Sequence, residues 1–188
     1  MNDLATAIFR QLRNDFPRFA EDCLKIRAKT GELRPLVLNR AQRHLHERLE
    51  AQRERTGGKV RALVLKARQQ GFSTYVEARF FWKIANRRGV RAFILAHEHG
   101  ASDALFGMVR RFHEHYPAGL KPGTGRASLQ GLEFDGLGAG YDMGTAGTEA
   151  VGRSKTIQLL HGSEAAFWKN ARAHFAGVIQ TVPDLPDT

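Results

Sequence analysis

The chain has 188 residues, a length that fits one domain able to bury roughly 70% of its unfolded surface. It holds 42% hydrophobic residues and no run of about 18 apolar ones, so no membrane-spanning segment is predicted. The net charge of +10, from 29 basic and 19 acidic residues, points to a polyanionic partner, nucleic acid first. The bland alternative is a merely soluble basic protein. Met1-Asn2-Asp3-Leu4 lacks the basic flank and apolar core of a secretion signal. The lone Cys23 excludes an internal disulfide framework and fits a reducing cytosol.

In chain order, residues 3–28 are predicted as one helix with Leu4, Ile8, Leu12 and Phe16 on a single face. Gly31 and Pro35 break it. A second helix begins near Asn39 with the stripe Ala41, Leu45 and Leu49, its far side carrying Arg40, Arg43, Arg48, Arg53 and Arg55. Gly57-Gly58 signals its C-cap. A strand over 59–66, built on Ala62-Leu63-Val64-Leu65, leads into a basic turn and a helix over 73–87. Val90 to Ala96 reads as another strand, and 101–115 as a helix burying Leu105, Met108, Val109 and Phe112. Residues 117–127 read as a loop, 128–148 as a strand pair, and Thr156 to Leu160 as a further strand. Ala171, Phe175, Val178 and Ile179 mark a closing helix. The alternation predicts an α/β fold with a mostly parallel sheet flanked by helices, preceded by N-terminal helices. The division expected is 1–58 for the helical N-terminal segment and 59–188 for the core.

Two stretches carry chemistry. The first is Lys66-Ala67-Arg68-Gln69-Gln70-Gly71-Phe72-Ser73-Thr74, a basic turn between a predicted strand and a predicted helix. Converging backbone N–H groups and the helix dipole suit that geometry to phosphate. Against the pattern G-x-x-x-x-G-K-[ST], Lys66 replaces the first glycine and Phe72 the lysine, while Gly71 and Ser73 are in place. The second is the strand Thr156-Ile157-Gln158-Leu159-Leu160 with His161-Gly162-Ser163-Glu164 after it. A carboxylate at a strand's end lies at the rim where such sheets bind ligands, and there it can orient or deprotonate a water. Alternatively Glu164 is an acid favoured by a helix N-terminus.

The pair K-A-R-Q-Q-G-F-S-T and H-G-S-E-A-A-F-W, some ninety residues apart, resembles the ATPase domain of the phage large terminase subunit, a P-loop NTPase of the ASCE type. Leu38-Asn39-Arg40-Ala41-Gln42, Ile94-Leu95-Ala96-His97, Gly152-Arg153 and the run Val178 to Asp184 are similar to the family's further motifs. The resemblance covers most of the chain from about Leu38 onward.

It implies ATP and Mg²⁺ as ligands. Lys66 and Arg68 would neutralise the β- and γ-phosphates, and Gln69, Gln70 and Gly71 would wrap them. Ser73, with Phe72 and Thr74 beside it in the loop, would donate its hydroxyl to Mg²⁺. Glu164 would be the catalytic carboxylate, with Ser163 standing where the family usually has another acid on the metal side. Arg153 would be an arginine finger, or else a solvated surface arginine. Gln42 would contact adenine, or else only close a capping box with Asn39. The partners implied are double-stranded DNA, the phage procapsid portal, the small terminase subunit and further copies in a ring, in the cytoplasm of a bacterial host. The family continues into a coupling strand and a nuclease domain, so no nuclease chemistry is expected within this chain.

Rival readings are another P-loop helicase or translocase, and a basic DNA-binding module with an inactive nucleotide site. The arginines of 39–55, with Arg87, Arg88, Arg91, Arg110, Arg111 and Lys121, are expected on DNA phosphates, or else solvated and paired with Glu47, Glu50 and Glu54. The pairs His44/His46, His97/His99 and His113/His115 lack the partners and spacing of a zinc site. Phe167 and Trp168 read as packing aromatics rather than base-stacking platforms.

Overall fold

The computed structural model describes residues 3–146, 156–186 and 188, and side chains from Thr6 onward. The first stretch is two helices, not one: α1 (Asp3–Asn14) and α2 (Phe16–Cys23). The break is local chemistry, because the Asp15 side chain accepts the Arg18 N–H as an N-cap and Pro17 sits in the first turn. After α2 the chain forms an antiparallel ribbon, β1 (Lys25–Arg27), where helix was expected, with β2 (Leu33–Pro35), in the expected break at Gly31 and Pro35. Helix α3 (Arg40–Arg55) has both predicted ends. Asn39 and Gln42 form a reciprocal capping box, and the Gly58 N–H returns to the Arg53 carbonyl at 2.7 Å over left-handed Gly57.

The expected strand over 59–66 does not form. Val60 N–H bonds the Thr188 carbonyl and Arg61 is held by Gln52, but residues 62–68 make no hydrogen bond among the described residues. Leu63 is 92% exposed. An apolar extended run becomes a strand only where a sheet edge accepts its ladder, and this one lies against none.

Helix α4 (Phe72–Asn86) and strand β3 (Arg91–Ala96) follow, then α5 (His99–Glu114), β4 (Thr124–Ala127), β5 (Gly131–Phe134), β6 (Ala139–Thr145) and β7 (Leu159–Gly162). A single 3-10 turn, Ala165–Phe167, precedes the last helix, α6 (Ala171–Ile179). The five-stranded sheet runs β4-β5-β6-β3-β7 and is mixed. Strands β6, β3 and β7 are parallel, whereas β4, β5 and β6 pair antiparallel because short turns join them. The expectation of a mostly parallel sheet therefore holds for one half only, and β4 occupies part of the expected 117–127 loop.

Alternation along β3 divides the core. Ala92, Ile94 and Ala96 face the larger cluster with α2, α3, α4 and α5, while Phe93 and Leu95 meet Trp168 and Val178 of the smaller one. The larger cluster runs from Leu12 to Leu159, so residues on both sides of the expected boundary at 58 share one interior. No helix among the described residues is long and apolar enough to cross a membrane.

Helix α4 is the centre of that interior, with Tyr75, Ala78, Phe81, Trp82 and Ile84 buried, and the charged Glu77, Arg79 and Lys83 buried as well. Arg79 pairs with Glu50 of α3 at 2.5 Å. Burial alone raises the Glu50 carboxyl, but the charge of Arg79, with that of Arg53, outweighs it, so the net shift is below the ordinary value. Its stabilising contribution is therefore present above the ordinary carboxylate range and lost as pH falls through the lowered folded value. We expect Glu50→Gln to cost roughly 2–4 kcal/mol near neutral pH, scaled down because one edge of the pair meets solvent. Urea denaturation should show that gap narrowing as pH falls below the ordinary carboxylate range. A pH-independent gap would assign the loss to packing.

Candidate functional site

The turn before α4 is fixed from α3. Gln42 is buried and uses both ends of its amide: its Oε1 accepts the Asn39 N–H at 2.9 Å, and its Nε2 donates to the Gly71 carbonyl at 2.7 Å. Asn39 Nδ2 donates to the Gln70 carbonyl at 3.3 Å, and Lys29 Nζ reaches Gln69 Oε1 at 3.0 Å. The capping-box role of Gln42 is thus present, and a contact with adenine would require the amide to leave Gly71.

Two residues of this turn are left-handed, Gln69 at φ 62° and Gly71 at φ 74°. With the carbonyls of Gln70 and Gly71 drawn toward α3, the N–H groups from Gln69 to Thr74 have no acceptor among the described residues. Such a run of unpaired N–H groups at a helix N-terminus is an anion-binding concavity. Lys66 and Arg68 are exposed and form no ion pair among the described residues. Phe72 packs against the core at the first helical position. Ser73 is half-buried, and the neighbouring Thr74 hydroxyl lies 3.6 Å from the Met108 sulfur.

Strands β6, β3 and β7 end on the same rim because they are parallel. The order reverses there: the chain leaves β3, returns as β6 on one side and as β7 on the other. Open α/β sheets bind ligands at such a point. Ser163 continues β7, its N–H bonded to the Leu95 carbonyl at 2.8 Å and its own carbonyl accepting the Trp168 indole N–H at 2.9 Å. Glu164 follows in a left-handed conformation, φ 53° and ψ 43°. A non-glycine residue held there stores about 1–2 kcal/mol of strain. Its side chain caps nothing, and only a three-residue 3-10 turn stands behind it, so a helix dipole is a poor account of the acid.

The Glu164 side chain is 49% exposed, and its Oε2 lies 3.5 Å from His97 Nδ1, at the end of β3. That ring nitrogen is buried without a hydrogen bond, and Phe167 lies against the ring at 5.9 Å between centroids. Trp168 is core as expected, whereas Phe167, the last residue of the 3-10 turn, is exposed at the rim. Neither His97 nor this use of Phe167 was apparent from motif spacing. A histidine closing the apolar run Ile94-Leu95-Ala96 was the available signal.

The rim acids and the loop are separate in contact terms. No hydrogen bond or ion pair among the described residues joins 66–74 to Ser163 or Glu164. One layer below, Glu77 of α4 meets His161 of β7 at 2.5 Å. Burial pushes the Glu77 carboxyl up, and the His161 hydrogen bond draws it part of the way back. Arg153 and the preceding Gly152 lie outside the described residues. Among the described residues, no group of three or more His, Cys, Asp or Glu side chains is arranged to hold a metal alone.

Of the expected phosphate contacts, Arg40, Arg43, Arg48 and Arg55 are exposed and free of ion pairs among the described residues. At 100° per residue they fall on one side of α3. Arg53 instead pairs with Glu50, and Arg91 is held by Glu133 at 3.0 Å and Asp142 at 2.8 Å. Those two arginines are structural because acids on the same helix or on neighbouring strands reach them first. Arg110 lies over the Phe106 ring. Comparisons with models of known families and with curated proteins gave no match to this chain.

Gly71 is the position where the loop is least tolerant. A Cβ there would sit 2.8 Å from Gln42 Nε2, on a backbone with φ 74°. Gly71→Ala should cost about 1–2 kcal/mol, from left-handed strain and loss of the Gln42 bond. Chemical denaturation measures this, and an unchanged midpoint would show that the turn readjusts freely.

Proposed function

We propose that this chain is the ATP-hydrolysing motor domain of a phage-terminase-like DNA-packaging machine, a P-loop NTPase acting on double-stranded DNA. The observation that carries the reading is the Gln69–Thr74 turn, where N–H groups lack acceptors among the described residues while Asn39 and Gln42 hold the neighbouring carbonyls. Phosphate oxygens are the natural acceptors for such a turn. Lys66 and Arg68 supply the positive charge that Phe72 cannot. Bound Mg²⁺ supplies charge neutralisation on the phosphates. Ser73, Ser163 and Glu164 offer hard oxygen donors, and Mg²⁺ commonly takes one or two protein oxygens with phosphates and water filling its shell. Glu164 accepts a proton from, or orients, the attacking water, and His97 steadies the carboxylate from β3. The free arginines of α3 grip DNA phosphates without reading bases. A ring of copies on a procapsid portal, loaded by a small subunit in a host cytoplasm, completes the proposal.

A second reading is a basic DNA-binding module with an inactive nucleotide site. One observation favours it: residues 62–68 stand outside the sheet, so Lys66 is not carried on a strand. Nucleotide binding without turnover, with duplex DNA present, would support that module over the motor.

The deciding experiment is ATP binding and turnover by the purified chain, with and without duplex DNA. Glu164→Gln should keep ATP affinity and lose roughly 10²–10⁴ in turnover. Lys66→Ala should weaken ATP binding, and equal affinity would move the phosphate role to Arg68 or remove it.

DNA affinity should fall with salt at a log–log slope near −0.9 per phosphate contact, about −3 to −4 if all four free α3 arginines engage. It should barely depend on sequence. A flat salt response, or a preference above about tenfold for one sequence, would sink the translocase reading.

A further inference from the structure

The contact between Glu77 and His161 joins the two halves of the candidate site. Glu77 lies on α4, one helical turn beyond Ser73, and is completely buried. His161 lies on β7, three residues before Glu164, and its Nδ1 is 2.5 Å from Glu77 Oε1. Strand alternation puts His161 on the same face as Leu159, toward α4 and away from the smaller cluster that Leu160 meets. Among the described residues, Glu77 Oε2 has no hydrogen-bond partner. The Tyr141 hydroxyl of β6 donates to the Glu77 backbone carbonyl at 2.8 Å, which holds that turn of the helix against the parallel half of the sheet.

A buried polar contact is weak evidence for stability, since apolar side chains of similar volume often serve as well. It is better evidence for register. The contact is directional, and a slide of α4 along β7 breaks it, whereas apolar neighbours would tolerate the slide.

We infer that Glu77 and His161 are positioning residues that set Glu164 at a fixed distance from nucleotide held at the start of α4. The inference rests on the ATPase reading above. Movement of the phosphate-loop helix then carries the β7 terminus with it, so phosphate binding and placement of the catalytic carboxylate are coupled through one contact beneath the site. Neither residue touches the reacting atoms.

The test uses the complete chain with Mg·ATP and separates binding from chemistry. His161→Leu removes the imidazole partner, and Glu77→Gln replaces the carboxyl with an amide of nearly the same shape. His161→Asn places an amide nitrogen near the lost Nδ1 and serves as the conservative variant. Thermal unfolding first establishes that each variant folds. The expected result is ATP affinity within about threefold of wild type in all three, with kcat lowered about 10- to 100-fold in His161→Leu and Glu77→Gln. His161→Asn should recover most of that loss. A folded His161→Leu or Glu77→Gln with wild-type kcat would overturn the inference and leave the ATPase reading intact. Parallel losses of affinity and kcat with no recovery in His161→Asn would overturn it in favour of a merely structural pair. A wild-type chain that binds no ATP would overturn the ATPase reading, and the inference with it.

Discussion

No residue of helix α4 is exposed, and most of the fold follows from satisfying it. Its apolar residues alone would fill the space between α2, α3, α5 and the sheet. Yet it also carries Glu77 and Arg79 into the interior, where an unpaired charge is far too expensive to leave. Each charge therefore selects a neighbour. Arg79 fixes α3 through Glu50, and Glu77 fixes β7 through His161. The Trp82 indole N–H adds α1 by donating to the Leu12 carbonyl at 2.8 Å. Apolar contacts decide that these elements pack, and the polar ones decide in which register.

The same helix gives the candidate site its two sides. Its N-terminal turn is shaped from α3, whose capping glutamine spends one end of its amide on its own helix start and the other on the Gly71 carbonyl. One side chain thereby caps α3 and turns the loop's carbonyls away from its N–H groups. The acidic side arises differently. Parallel pairing of β6, β3 and β7 brings His97, Ser163 and Glu164 to one rim, and left-handed backbone at Glu164 aims the carboxylate there. Strain at an exposed, uncapping acid is hard to explain by stability and is what a functional position tolerates.

Much of this was legible from local signals. Asn39-x-x-Gln42 and Gly57-Gly58 bound α3 because capping is decided by side chains within one turn of the helix end. The runs around α4, β3 and α5 were readable from periodicity. The break at Asp15 was equally local and was overridden by the stronger apolar stripe on either side of it. The segment 59–66 shows the opposite failure: Leu63 and Leu65 have the composition of a buried strand, but composition does not supply an edge to pair with.

The basic turn around Gly71, the excess of basic charge and the acid at the end of an apolar run are properties of adjacent residues, and they were present before any fold was known. Those features depend on local sterics, capping and charge, which act over a few residues. The pairing of Glu77 with His161, the approach of His97 to Glu164 and the removal of Arg53 and Arg91 from the free basic surface were not visible in that way. Except for the Arg53 pair, each depends on which elements become neighbours across 42 residues or more of chain. That choice is made by the burial of α4 and by the parallel register of β3 with β6 and β7, where a shift of one residue would turn the strand side chains among them to the other face.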